Sequence, residues 1–199
     1  KFNAEAKVKG LEVVTAQSFT SDNNEDFSAQ LQAVKSSGAE LVFLPIYYSE
    51  AALILKQAQN AALDVKYFGC DGLDGILTMA NFDKSLAEGV MLLTPFAANA
   101  TDEYTVNFVQ KYSEKYGTDT MNQFAADAYD AIYIIKAAIE KAGITADMSA
   151  SDICDAMKTA MTQITVDGVT GTGIHWTADG EPSKAPKAVV IKDGAYQAL

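Results

Sequence analysis

Several residue types that would narrow the chemistry are scarce in this sequence. In 199 residues there are one histidine, two cysteines, four prolines and one tryptophan. The histidine, His175, stands beside Trp176 with no nucleophile or carboxylate at motif spacing, so packing or a surface position is its expected role. No G-x-S-x-G elbow occurs, which leaves an α/β-hydrolase nucleophile without support. Cys70 and Cys154 lie far apart, and neither neighbours a histidine or a second cysteine at ligand spacing, so no metal site is expected. They read as two buried free thiols rather than as a disulfide. Positive charge is also short. Lysine and arginine total 15 against 26 acidic residues, the net charge is −11, and no basic cluster stands out. That balance opposes binding to nucleic acid or to an anionic membrane surface. The longest apolar runs are far below the roughly 20 residues of a membrane span. Lys1 opens directly on polar, helix-like sequence, so the protein is expected either to be cytosolic or to have lost a leader.

What is present is ordinary for a globular α/β protein, with 49% hydrophobic and 21% charged residues. Residues 2–9, FNAEAKVK, read as the last turns of a helix stopped by Gly10. No strand precedes them, and a chain whose fold begins upstream is expected. From Leu11 to Phe96, strand and helix then alternate. LEVVTAQSF (11–19) is a β-branched strand. Asp26–Ser37 is a helix with Phe27, Leu31 and Val34 on one face, ended by Gly38. ELVFLPI (40–46) is nearly all apolar, as expected of a strand covered on both faces. Ser49 is the expected cap of a helix running to about Ala62. VKYFGC (65–70) is a strand, residues 75–80 are a short helix, and GVMLLTPF (89–96) is a further strand. Repeated strand–helix units of this length predict a parallel sheet flanked by helices, with right-handed crossovers.

The pattern changes at TPFAANA (94–100), a connector with proline and small residues. Thr101–Met161 is nearly all helix. Tyr104, Phe108, Tyr112 and Tyr116 form a stripe that reads as a core face, and Gly117 stops it. Phe124–Ala142 is a long apolar helix stopped by Gly143, and Ser149 with Asp152 resembles a capping box before helix 151–161. Gly168–Trp176 is a short strand, and GEPSKAP (180–186) is a second connector. KAVVIKDGAYQ (187–197) is a strand pair around an Asp193-Gly194 turn. The helical stretch owns almost no sheet, which is expected to lie upstream.

The stretch from Pro45 to Gly75 carries the most chemistry. Tyr47 follows one strand and Asp71 the next. In an open parallel sheet, ligands bind in the crevice outside such strand ends. There the Tyr47 and Tyr48 hydroxyls and the Asp71 carboxylate would suit an ammonium group with an apolar neighbour. The other reading, equally open on spacing alone, makes the tyrosines packing residues and Asp71 a turn residue before Gly72. Asp71 and Asp74 together lack the further oxygen or histidine ligands of a metal site, and both look solvated. Asp74 reads as a helix cap. GVTGTG (168–173) has no lysine and precedes a strand, so a phosphate cradle is not expected, and Gly171 and Gly173 read as bulge or close-approach glycines. Phe124 opens its helix after a polar loop, where its ring faces either a crevice or the core.

The ordered series DFSAQL (26–31), ELVFLPIYYSEAALILKQAQNAAL (40–63), YFGCDGLDG (67–75), NQFAADAYDAIYII (122–135) and GIHWTADGE (173–181) resembles the periplasmic leucine/isoleucine/valine-binding proteins. These are solute-binding proteins of ABC importers with the type I periplasmic binding fold. The resemblance spans the whole chain but only the later portion of the family's chain. It implies two α/β lobes joined by three hinge crossings that close over a ligand. On that mapping, residues 1–95 and 187–199 are most of the second lobe, 100–183 are the returning part of the first, and 94–100 and 183–187 are hinge connectors. The resemblance implies that Tyr47 lines the amine and side chain of an amino acid, that Asp71 pairs its ammonium, and that Phe124 touches its side chain. Asp71 stands where the branched-chain binders carry Glu, which sets the carboxylate back by about one methylene and leaves the ligand's identity open. The implied function is extracytoplasmic capture of an amino acid for the transmembrane subunits of an ABC permease, without catalysis, cofactor or nucleic acid. A ligand-sensing domain of a receptor or regulator shares the fold and is the alternative. The edges left by a missing sheet are expected to favour self-association of such a fragment.

Overall fold

Three short parallel strands organise the first part of the chain in a computed structural model that describes residues 1–199. Strand β1 is Leu41–Leu44, β2 is Lys66–Gly69 and β3 is Met91–Thr94. β1 and β2 pair in register from Leu41↔Lys66 to Leu44↔Gly69, and Phe68↔Met91 joins β2 to β3. The sheet has five strands in the order β1-β2-β3-β6-β7, where β6 is Lys187–Lys192 and β7 is Ala195–Ala198. β6 and β7 are joined by Asp193-Gly194, both at positive φ, the backbone of a two-residue hairpin turn. A hairpin makes that pair antiparallel, so the sheet is mixed rather than parallel throughout.

Helices α1 (Phe2–Val8), α2 (Ser28–Ser37) and α3 (Tyr48–Asn60) flank this sheet. Alternate strand residues face opposite ways. Val42, Leu44 and Tyr67 turn toward the main core, which takes Phe27 and Leu31 from the α2 region and Ala51, Ile54, Leu55 and Ala58 from α3. Phe43 and Phe68 turn the other way, and Phe2 of α1 stacks on Phe43 with ring centroids 4.2 Å apart. β1 is not covered on both faces as expected. It is the sheet's edge strand, and only Leu44 of its four residues is buried.

The expected strand at 11–19 does not form. Leu11, Val13 and Val14 are exposed, and the segment joins no sheet. Its β-branched composition needs a paired, half-buried surface to matter, and here the sheet ends at β1. Phe27 is the N-cap residue of α2 rather than a residue within it, yet it is almost wholly buried as expected. Tyr47, not Ser49, is the N-cap of α3, because Ser49 lies within its first turn and its hydroxyl turns to Glu50 at 2.5 Å. The expected helix at 75–80 shrinks to one 3₁₀ turn, Ile76–Thr78, with Gly75 at its N-cap.

The chain divides into two units, Lys1–Leu92 with Val189–Gln197 and Leu199, and Leu93–Ala188 with Ala198. The second unit is built from α4 (Glu103–Tyr116), α5 (Gln123–Ala142), α6 (Ala150–Met161) and the antiparallel strands β4 (Val166–Gly168) and β5 (Gly171–Ile174). The 168–176 segment is therefore the end of one strand, a turn and a second strand, and His175 lies just beyond β5. Asp102 caps α4 by accepting from the Thr105 N–H at 2.9 Å, and Asn122 caps α5 through the Ala125 N–H at 3.2 Å. The Ser149 hydroxyl accepts from the Asp152 N–H at 3.2 Å and donates to its carboxylate at 2.7 Å, so that expected cap forms. Asp130 is the buried polar anchor of the unit. Its carboxylate accepts from the N–H groups of Val169 (2.9 Å) and Thr170 (2.8 Å) and from the Thr170 hydroxyl (2.7 Å). Only glycine fits at 168, where a Cβ would lie 2.6 Å from that carboxylate. The aromatic stripe of α4 is core at its centre only: Phe108 is buried against Phe96 and Tyr129, while Tyr104 and Tyr116 at its ends are exposed. Of the two free cysteines, Cys70 is half-buried and Cys154 is exposed on α6, so two buried thiols are not what forms.

Candidate functional site

β1 and β2 end side by side, since Leu44 pairs with Gly69. Tyr47 follows three residues after Leu44 and Asp71 two after Gly69. Pro45 holds Leu44 in extended backbone, because the proline ring clashes with a helical residue before it. Tyr47 remains extended (φ −86°, ψ 161°) as the N-cap of α3, and its side chain is 65% exposed. Tyr48 goes the other way and packs against the main core. Of the two tyrosines placed together on spacing, Tyr47 is exposed and Tyr48 half-buried.

Asp71 is exposed at the start of a 3₁₀ turn, Asp71–Leu73. The turn is pressed against the Tyr47 loop. A Cβ on Gly72 would come within 2.5 Å of the Ile46 carbonyl oxygen and 3.4 Å of the Tyr47 ring. Any side chain at 72 would push the two loops apart, so glycine there sets how closely Asp71 and Tyr47 approach. Asp71 also acts on its neighbour. Burial first, and the Asp71 carboxylate second, push the Cys70 thiol up. A raised thiol is a poor nucleophile, so Cys70 is not poised for covalent chemistry.

Asp74 differs from the sequence expectation of a solvated capping residue. It is 2% exposed, and its carboxylate meets the Tyr196 hydroxyl of β7. That hydroxyl also accepts from the Gly75 N–H at 3.3 Å. Burial first, then the charge of Asp74, push the Tyr196 phenol well above its ordinary range. Nothing local in the sequence pointed to Tyr196, which is 121 residues from Gly75. Gly72 had a signal, a glycine directly after the candidate carboxylate, but its contact with Ile46 depends on strand register.

Phe124 is the second residue of α5, in the other unit, and is 36% exposed. Its neighbour Gln123 is buried and lies 3.3 Å from the Thr94 hydroxyl, which in turn accepts from the Phe96 N–H at 3.2 Å. That pair fixes the start of α5 to Thr94, within the same unit. Tyr47 and Asp71 thus come together within one unit, and Phe124 belongs to the other. His175 has a fastening role: its Nδ1 is 2.9 Å from the Ser183 hydroxyl, its N–H donates to that hydroxyl at 3.0 Å, and its carbonyl accepts from the Ser183 N–H at 2.9 Å. No group of three or more His, Cys, Asp or Glu side chains is placed to hold a metal ion.

The family described as periplasmic binding protein matches residues 1–195. The chain is 29% identical over 120 residues to a leucine-, isoleucine-, valine-, threonine- and alanine-binding protein of Pseudomonas aeruginosa, covering 60% of this chain and 31% of that protein. It is 31% identical over 150 residues to a Leu/Ile/Val-binding protein homologue of Brucella melitensis, covering 75% of this chain and 39% of that one. Its fold is similar to the crystal structure of a leucine-binding protein of Thermotoga maritima, with a TM-score of 0.74, 26% identity, and coverage of 91% of this chain and 49% of that chain. The chain therefore spans less than half the length of each of these three proteins. With a match over nearly its whole length and relatives named for leucine, isoleucine and valine binding, the chain belongs to the periplasmic binding protein family.

Proposed function

We propose that the protein is an extracytoplasmic solute-binding protein that captures an amino acid, branched-chain or related, and delivers it to the transmembrane subunits of an ABC importer without catalysing a reaction. The observation that carries this reading is the close approach at Gly72, which holds the displayed Tyr47 ring and the exposed Asp71 carboxylate on adjoining loops at the ends of two parallel strands. An α-amino acid brings an ammonium group that must be paired if it is to leave water. Asp71 supplies the charge and Tyr47 an aromatic wall beside it. The resemblance further implies that Phe124 touches the ligand's side chain. A hydrogen bond to a charged group contributes roughly 1.5–3 kcal/mol net. Asp is one methylene shorter than the Glu that the resemblance places here, which suits a larger ligand, a bridging water or a shifted pose.

The test is a thermal-shift panel of the common amino acids on the full-length protein, since a ligand that binds only the native state raises its melting temperature by mass action. A selective rise with leucine, isoleucine or valine is expected. No rise with any amino acid would withdraw the ammonium-pairing role of Asp71. Asp71→Ala should weaken binding by at least about tenfold, equivalent to roughly 1.4 kcal/mol.

A further inference from the structure

The 69–75 loop is held at three points, and the third comes from the far end of the chain. Gly69 lies under the Leu73 side chain, which leaves no room for a Cβ. Gly72 lies against the Ile46 carbonyl. Gly75 donates its N–H to the Tyr196 hydroxyl at 3.3 Å, and the same hydroxyl meets the Asp74 carboxylate and the Leu77 backbone. Leu73, Asp74, Gly75, Ile76 and Leu77 are all buried, whereas Asp71 is exposed. The loop therefore has a rigid half and a displayed residue at its entrance. Gly69 and Gly72 fasten it to its own strand and to the Tyr47 loop. The Tyr196 hydroxyl ties it by hydrogen bonds to the β6–β7 hairpin, whose own turn is fixed where the Asp193 N–H reaches the Glu88 carboxylate at 3.0 Å.

We infer that Tyr196 is a positioning residue for the ligand site: its hydroxyl, bridging Asp74 and Gly75, sets the 71–75 turn and with it the direction in which Asp71 presents its carboxylate. This deepens the ammonium-pairing reading of Asp71 and rests on it for its functional consequence. The chemistry is plain. A phenol that donates to a buried carboxylate and accepts a backbone N–H gives two polar groups a partner with one atom. Removing the oxygen leaves Asp74 and the Gly75 N–H to find other partners, and the turn is free to shift. A site held about 1 Å too loosely forfeits much of its binding.

Tyr196→Phe removes the oxygen and keeps the ring in the core. In the full-length protein, hydrogen exchange at residues 71–75 should quicken at least about tenfold, while the β2 amides at 66–69 change less than about twofold. Calorimetric titration with leucine should then show about a fivefold loss of affinity for Tyr196→Phe in the Asp71 background. In an Asp71→Ala background the same change should cost less than about twofold, because the residue acts through Asp71. An equal loss in both backgrounds, or exchange at 71–75 that does not change, would overturn the inference. If the wild-type protein binds neither leucine nor any other amino acid, the ligand reading fails, and the exchange measurement still decides whether Tyr196 holds the turn.

Discussion

The two units bury their apolar residues in different ways. In the first, sheet and helices share one cluster that runs from Phe27 on the approach to α2, through Leu55 of α3, to Leu92 of β3 and Ile191 of β6. In the second, burial is split. Phe96, Phe108, Ala126 and Val169 form one cluster, and Ala138, Ala160 and Ile164 form another. Between them α5 leaves Ile132 67% exposed, with Tyr133 and Ile135 also exposed. The first unit has a sheet against which each helix sets one face. The second has a two-stranded hairpin, and buried polar anchors such as Asp130 carry more of its definition. A helix–sheet layer gathers its apolar faces into one continuous core, whereas the helices and hairpin of the second unit bury theirs in two smaller clusters.

Substitutions that separate packing from polar anchoring sharpen this contrast. The largest effect is expected for Ile191→Ala, which removes a fully buried side chain from the first unit's core and should cost about 2–5 kcal/mol in denaturant unfolding. Asp130→Ala should rival it in the second unit, at roughly 2–3 kcal/mol, because three donors at Val169 and Thr170 lose their acceptor inside the protein. If Asp130→Ala proves as mild as a surface change, the anchoring account of the second unit is wrong. Asp102→Ala should cost about 1 kcal/mol through loss of the α4 cap. Ile132→Ala should stay within about 0.5 kcal/mol, since the side chain is mostly exposed.

Alkaline pH offers a milder probe of the first unit. Burial pushes the Tyr67 phenol up to about 12 and raises Tyr196 further. Both phenols are held neutral in the fold, so their contribution is complete below the unfolded value of about 10. It is lost as pH rises from there through the folded values. Unfolding followed from pH 9 to 11.5 should show stability falling above pH 10, and Tyr196→Phe should flatten part of that fall.

Local patterns were readable where chain neighbours decide the outcome. The stops at Gly38 and Gly143, the Ser149 cap and the Asp193-Gly194 turn all appear where the sequence places them. Patterns that need distant partners were not. LEVVTAQSF has strand composition and no strand to pair with. Asp74 looks solvated until Tyr196 covers it, and the partners of Asp130 lie 39 and 40 residues away. The candidate site was legible to the extent that it follows strand register: Tyr47 and Asp71 are both just past paired strand ends. Gly72, which sets their separation, carries no side chain to give a pattern. The opposite fates of Tyr47 and Tyr48 follow from where α3 begins, a boundary that sequence placed two residues late.

The central proposal is that the Asp71 carboxylate receives a ligand ammonium beside Tyr47. Isothermal titration of the full-length protein with leucine, isoleucine and valine, repeated with Asp71→Ala, tests it most directly. Saturable binding of at least one of the three, weakened at least about tenfold by the substitution, is the predicted result. Binding that survives Asp71→Ala unchanged, or no binding of any of them, would contradict it.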